Sequence, residues 1–206
     1  MHMALLPEPD LPDRSVKTAG PLHHYPHTDL ESIKEAAPTV PPVSRWGLAP
    51  SFWAHIPLLA ADVEALQEVP GVPGSFALRG QPVRRVEVLG VAVEVECRDK
   101  SARCIVDDGT GLVPAILWLQ PNGASSDAPE DSRHAVAAGV ETAFAIKAAH
   151  ELQLGRLVRV QGRVTQYRGV RQVTVDALQV ENNPNAEVLH WLDCIRMKKQ
   201  LRQQQL

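Results

Sequence analysis

Between Val83 and Val95 the string VRRVEVLGVAVEV alternates apolar and polar residues at period two, the mark of a half-buried strand. Its phase slips midway, with Val86 and Val88 on one parity, Val91, Val93 and Val95 on the other, and Gly90 at the slip. A glycine at a phase change predicts a bulge or sharp bend that carries one long strand from one sheet face to another. RDKS (98–101) then predicts a turn, ARCIVDD a second strand, and Asp108-Gly109 a hairpin into a third strand over Leu112 to Leu119. QPNGASSDAPEDS (120–132) reads as a loop, in which Asp131 or Ser132 caps a helix with the stripe Val136, Val140, Phe144 and Ala148, reaching to about Ala149. After Gly155, LVRVQGRVTQY and VRQVTVDALQV predict two further strands joined through Arg168-Gly169.

A bent first strand, a meander of three, a helix and a closing hairpin are the order of an OB-fold. The predicted class is therefore an all-β barrel of five strands with a helix between strands three and four, over residues 75–181. Residues 46–74 predict a packing segment that lies against the barrel, because Trp46, Phe52, Trp53, Ile56, Leu58 and Leu59 crowd together there. Pro57 suits the first turn of a short helix reaching to about Leu66, which Pro70, Gly71, Pro73 and Gly74 stop. Residues 182–206 predict a terminal helix opened by Asn183 and Pro184, with Val188, Trp191, Leu192 and Ile195 on one face and a basic tail too polar to bury. That stripe either packs on its own barrel or receives a partner.

Residues 1–45 hold Pro7, Pro9, Pro12, Pro21, Pro26, Pro38, Pro41 and Pro42 of the 17 prolines, and one aromatic, Tyr25. Such a segment buries too little apolar surface to offset its ordering entropy, so a disordered tail is expected. Within it, His23, His24 and His27 lack the fixed frame and nearby Cys of a structural metal site, and no metal or cofactor is predicted.

The 206 residues are 44% apolar and 22% charged, the composition of a soluble chain. No run approaches the ~18 apolar residues of a spanning helix, and MHMALLPEPDLPD lacks the basic flank and apolar core of a secretory signal. Cys97, Cys104 and Cys194 are too sparse for a disulfide framework, which points to a reduced, intracellular protein. Cys97 and Cys104 are read as small apolar filler. A net charge of -3 removes the global footprint of a nucleic-acid binder, so such binding must rest on a local patch. Residues 151–180 supply one, with Arg156, Arg159, Arg163, Arg168 and Arg171 against Glu151 and Asp176. Trp118 and Tyr167, the aromatics of the barrel strands, are either stacking platforms or core and rim packing. Catalysis finds no support: no H-x-E with C-x-x-C, Walker loop, G-x-S-x-G or H-E-x-x-H is present, and Asp107-Asp108 falls in a turn that favours Asp for its geometry.

The strings VRRVEVLGVAVEVECRDKSARCIVDDGTGLVPAILWL and LVRVQGRVTQYRGVRQVTVDALQV, with SFWAHIPL upstream, resemble the OB domain of the STN1-type subunit of the telomeric CST complex. That subunit is similar to the middle subunit of replication protein A, the alternative reading, whose usual Ser/Gly-rich arm is not matched by the proline-rich residues 1–45. The resemblance covers roughly residues 46–200. It implies a non-enzymatic nuclear protein at the chromosome telomere, within a heterotrimer. Its implied partners are a small OB-fold subunit met by the terminal helix, a large multi-OB subunit, DNA polymerase alpha-primase and single-stranded G-rich telomeric DNA. Trp118 and Tyr167 fall on DNA-contacting positions of the family, and Asp107 on one near the small partner. An arginine expected two residues before the tyrosine is Thr165 here, leaving Arg163 or Arg168 as substitutes. With the chain ending at Leu206, the winged-helix domains of fungal and animal members are not expected, and a compact single-OB form, as in plant-like members, is.

Overall fold

The computed structural model describes residues 40–120 and 132–203, with the backbone alone for 132–138. Five strands form the barrel: β5 (Arg85–Arg98), β6 (Ser101–Asp107), β7 (Leu112–Trp118), β8 (Leu157–Tyr167) and β9 (Val170–Val180). β5 pairs antiparallel with both β6 and β8, β8 with β9, and β9 closes on β7 in parallel through Ala115↔Val173 and Ile116↔Thr174. One long first strand shared between two neighbours and a parallel closure are the topology of an OB-fold. Helix α3 (Ser132–Glu151) stands between the third and fourth barrel strands.

Four short strands precede the barrel. β1 (His55–Pro57) adds to the outer edge of β5 in parallel, while β2 (Gln67–Glu68), β3 (Phe76–Leu78) and β4 (Gln81–Val83) form a small separate sheet. Before them lie a 3-10 turn over Val43–Leu48 and the single-turn helix α1 (Pro50–Trp53), and between β1 and β2 lies helix α2 (Ala60–Ala65). α4 (Ala186–Gln203) follows the barrel.

Several sequence expectations change here for identifiable reasons. Pro57 ends an edge strand instead of opening a helix, a place where its missing N–H costs no ladder bond. The bend of β5 divides two tasks between two residues. The register shift against β6 falls at Val93, which is exposed, whereas Gly90 is where the backbones meet: a Cβ there would lie 2.4 Å from the Asp107 carbonyl oxygen. Of the α3 stripe read from the sequence, Val140 and Phe144 are exposed and Ala148 packs on the core beside Ala145 and Ala149; small residues let the helix lie close to the sheet. The side chain of Val136 and all of Asp131 lie outside the described residues. Cys104 is buried opposite Val95, as apolar filler would be, whereas Cys97 is exposed opposite Ala102 and is not core filler.

Val40 and Pro41, read as the end of a tail, are held to the protein, because the Trp46 indole N–H donates to the Pro41 carbonyl at 2.8 Å and Val40 packs on the Trp46 cluster, while residues 42–45 are exposed. The rest of that tail, with its three histidines, lies outside the described residues. No helix among the described residues is long and apolar enough to cross a membrane.

The segment before the barrel joins the same core, as Ile56, Leu58, Ala60, Val63 and Leu66 pack with Val86, Val88, Val106, Val158 and Val173. One carboxylate fixes it there. Leu59, at the N-cap of α2, has no side-chain acceptor for the orphan amides of the first turn. The β6–β7 loop supplies them: Asp108, buried, accepts the Ala60 N–H at 2.7 Å through Oδ2, and the Thr110 hydroxyl oxygen accepts the Ala61 N–H at 3.2 Å. Asp108 Oδ1 accepts from both the backbone N–H and the hydroxyl of Thr110, which holds the loop in shape. The Asp107-Asp108 pair is thus a turn and a cap. Asp108→Ala leaves buried donors unpaired and should lower unfolding stability by about 2–4 kcal/mol, read as a shifted urea midpoint at neutral pH.

Candidate nucleic-acid and partner interfaces

Two surfaces gather the residues singled out by sequence. The first is the outer face of β6 and β7. Trp118, 39% exposed, ends β7 opposite Ser101, and Leu119 N–H donates to the carbonyl of Lys100 in the adjoining β5–β6 turn. Arg103 projects from the same face opposite Ile116, and neither it nor Lys100 has an ion-pair partner among the described residues. Sequence reasoning missed Lys100 and Arg103. The signal that finds them is register, since pairing brings both within one or two positions of Trp118.

Tyr167 and Arg168 sit apart, at the tip of the β8–β9 hairpin. Arg168 and Gly169 both have positive φ, 51° and 83°, as a two-residue hairpin turn of this hand requires. The Arg168 guanidinium lies 5.2 Å from the centroid of the Tyr167 ring, a cation–π contact. Tyr167 is 54% exposed, so both aromatics are exposed and neither is core.

The arginine excess of residues 151–180 is largely internal. Arg156 donates to Asn182, Arg159 to Glu87 and Glu181, and Arg171 to the Glu64 carbonyl while covering Phe76. Arg163 lies 3.8 Å from Asp176 and lines, with Arg85, Trp118 and Phe144, an open groove of about 1000 Å³ between α3 and the barrel. The whole groove is not basic: Glu141, Glu151, Asp176 and Glu181 outnumber Arg85, Lys147 and Arg163. Only its Arg85–Arg163 end is positive.

The second surface is α4, where the stripe read from the sequence does not pack on its own barrel and a different face of the helix does. Ala186, His190, Cys194 and Leu201 are buried against the protein, a stripe at helical spacing that the sequence reading passed over because it is interrupted by a histidine and a small residue. Val188, Trp191, Leu192 and Ile195 point away and are between 41% and 63% exposed, with Leu189 beside them. The helix is amphipathic twice over.

What anchors it is a buried polar joint. The His190 side chain places Nε2 3.4 Å from the Leu58 carbonyl and Nδ1 3.5 Å from Glu87 Oε1, and the Cys194 sulfur lies 3.4 Å from Nε2. Lys198 adds an ion pair to Asp62 of α2 at 2.7 Å. Gln161 donates to Glu87 at 2.6 Å, and Arg159 pairs with the same carboxylate. His190 first, then Gln161 and Arg159, hold the Glu87 carboxyl down at about 2, against burial, which raises it. Burial pushes the Cys194 thiol up to about 12 and the Cys104 thiol to about 11, so both stay protonated and unreactive at neutral pH. Asp107, beside the cap, spends its Oδ1 on the Gly109 N–H at 2.8 Å and remains half-buried at the barrel edge. Among the described residues no group of three His, Cys, Asp or Glu is placed to hold a metal ion.

No protein-family model matches the chain. A curated relative does: the CST complex subunit STN1 of Arabidopsis thaliana is 37% identical over 144 residues, covering 69% of this chain and 88% of the relative. The chain belongs to the STN1 family. The human CST complex subunit STN1 is 30% identical over 153 residues, and the chain spans 42% of its length, as it does of the macaque protein. Among solved structures, the Stn1–Ten1 complex of S. pombe matches with a TM-score of 0.58 at 18% identity, over 74% of this chain and 96% of that one. A replication protein A heterotrimer bound to single-stranded DNA matches with a TM-score of 0.54 at 16% identity, over 72% and 98%. At those identities the two structures speak for the OB-fold alone, and the sequence relatives decide for the STN1 family over the replication protein A reading.

The joint under α4 has a pH signature. Because the Glu87 carboxyl is held below its ordinary value of 4.5, its contribution is full above that pH and is lost as pH falls toward about 2. Glu87→Gln should cost up to about 3 kcal/mol at neutral pH. The gap between wild type and variant, followed by urea unfolding, should close between pH 4.5 and about 2.

Proposed function

We propose that this chain is a telomere-capping and replication-assisting subunit of a CST-type heterotrimer, acting in the nucleus at the chromosome end. It docks a small OB-fold subunit through Val188, Trp191, Leu192 and Ile195 of α4, with Asp107 at the margin of the contact. It also joins a large multi-OB subunit, meets DNA polymerase alpha-primase and touches single-stranded G-rich telomeric DNA through Trp118, Tyr167, Arg163 and Arg168. Membership of the STN1 family supports the assembly, since the relatives bear the name of CST complex subunits. The observation that carries the docking surface is the doubled character of α4: one face is fully engaged with its own protein, yet an aromatic and aliphatic row is kept on the other at a solvation cost. Rows of this kind become anchors when a partner covers them.

Trp191→Ala with Ile195→Asp should abolish co-purification of the small OB partner while circular dichroism of the barrel stays unchanged, because neither side chain belongs to the buried stripe. Undiminished co-purification overturns the docking role of α4 and of Asp107 with it.

For DNA, Trp118→Ala and Tyr167→Ala should each weaken binding of an oligonucleotide by about 1–3 kcal/mol in fluorescence anisotropy, with the thermal midpoint unchanged since both rings are exposed. Measured on the partner-bound protein, binding left unchanged by both substitutions removes Trp118 and Tyr167 from the DNA site.

A further inference from the structure

Pairing across the barrel lines up His55 and two arginines in one row. His55 of β1 is the partner of Arg85 on β5, Arg85 of Arg163 on β8, Arg163 of Thr174 on β9, and Thr174 of Ile116 on β7. Two arginines directly opposite each other repel, and a sheet ordinarily avoids the arrangement. Among the described residues the one acid against them is Asp176, the extra residue of β9 at the register shift opposite Gln161 and Gly162. Its oxygens lie 3.9 Å from Arg85 Nε and His55 Nε2, and 3.8 Å from Arg163 Nε, beyond hydrogen-bond length. Neither guanidinium hydrogen-bonds any described residue, and His55 Nε2 is buried without a hydrogen-bond partner. Two donor forks therefore share one loosely held carboxylate, while Arg156 before β8, Arg159 on β8 and Arg171 on β9 are all hydrogen-bonded. The row lacks a second oxyanion.

We propose that Arg85 and Arg163 jointly grip one phosphodiester of a single DNA strand that leaves the β6–β7 face at Trp118 and enters the groove beneath α3. The proposal rests on the DNA-binding reading above and adds a subsite to it. Guanidinium forks match phosphate oxygens in pairs, as an ammonium does not. Trp118 stands two residues from Ile116 of the same row, about 7 Å along the strand, and lines the groove with both arginines. A base stacked on Trp118 thus has its backbone beside the pair. Toward Glu151 and Glu181 the groove wall turns acidic, which ends the favourable path at the arginines.

The test is anisotropy of a labelled oligothymidylate on the full chain between about 50 and 200 mM salt, beside a thermal melt of each variant. Arg85→Gln and Arg163→Gln should each weaken binding about tenfold at low salt and reduce the slope of log K against log salt by about 0.7. Because they share one phosphate, the double variant should lose no more slope than either single one. Asp176→Asn removes the competing anion and should tighten binding several-fold. Wild-type affinity and slope in the arginine variants, with binding still weakened by Trp118→Ala, overturn the subsite and leave the DNA reading standing. Absence of binding by the wild type overturns both. Should the arginine variants melt early, Asp176→Asn decides alone: unchanged or weaker binding refutes the subsite.

Discussion

A carboxylate on one loop holds three layers together. Asp108 leaves the barrel between β6 and β7 and closes the first turn of α2, whose N-cap residue Leu59 has no side-chain acceptor. α2 and the Leu58 carbonyl just before it are in turn the surface on which α4 rests, through Lys198 to Asp62 and His190 to Leu58. The exposed row of α4 is therefore aimed by a stack that begins at a hairpin turn. Buried hydrogen bonds of this kind add modestly when made and cost heavily when broken, which suits them to fixing one arrangement among several apolar ones.

The polar joint at Glu87 shows the same logic from the other side of the stack. A buried ion pair is weak evidence for stability, since apolar side chains of similar volume often replace it without loss. Its geometry is specific, however. Glu87 is reached at once from β8 by Arg159 and Gln161 and from α4 by His190, so the helix can seat in one rotation only. Rotating α4 by a third of a turn would bury Trp191 and leave a carboxylate and a histidine without partners.

Much of this was legible in the sequence, where local pattern and global fold agree. The period-two strands, the Asp99-Lys100 and Arg168-Gly169 turns and the helix between strands three and four each follow from chemistry within a few residues. The failures are tertiary. Pro57 is placed by pairing with β5, the outward turn of Val140 and Phe144 by the narrow space over the sheet, and the buried stripe of α4 by acceptors that arrive from β5 and from Leu58. An apolar-only reading of α4 selects the row facing solvent, because the row facing inward carries a histidine.

Counting charge along the chain misleads for a related reason. Five arginines within residues 151–180 look like a patch, but β8 and β9 twist past β5, α2 and Asn182, and three of those guanidiniums are consumed as structural donors. The other arginines are sorted by rung instead: Arg103, Arg163 and Arg85 fall on one line around the barrel through β6, β7, β9, β8 and β5, although they are scattered over nearly eighty positions of sequence. A barrel can thus build a local positive row inside a chain of net charge -3 without any basic run in its sequence.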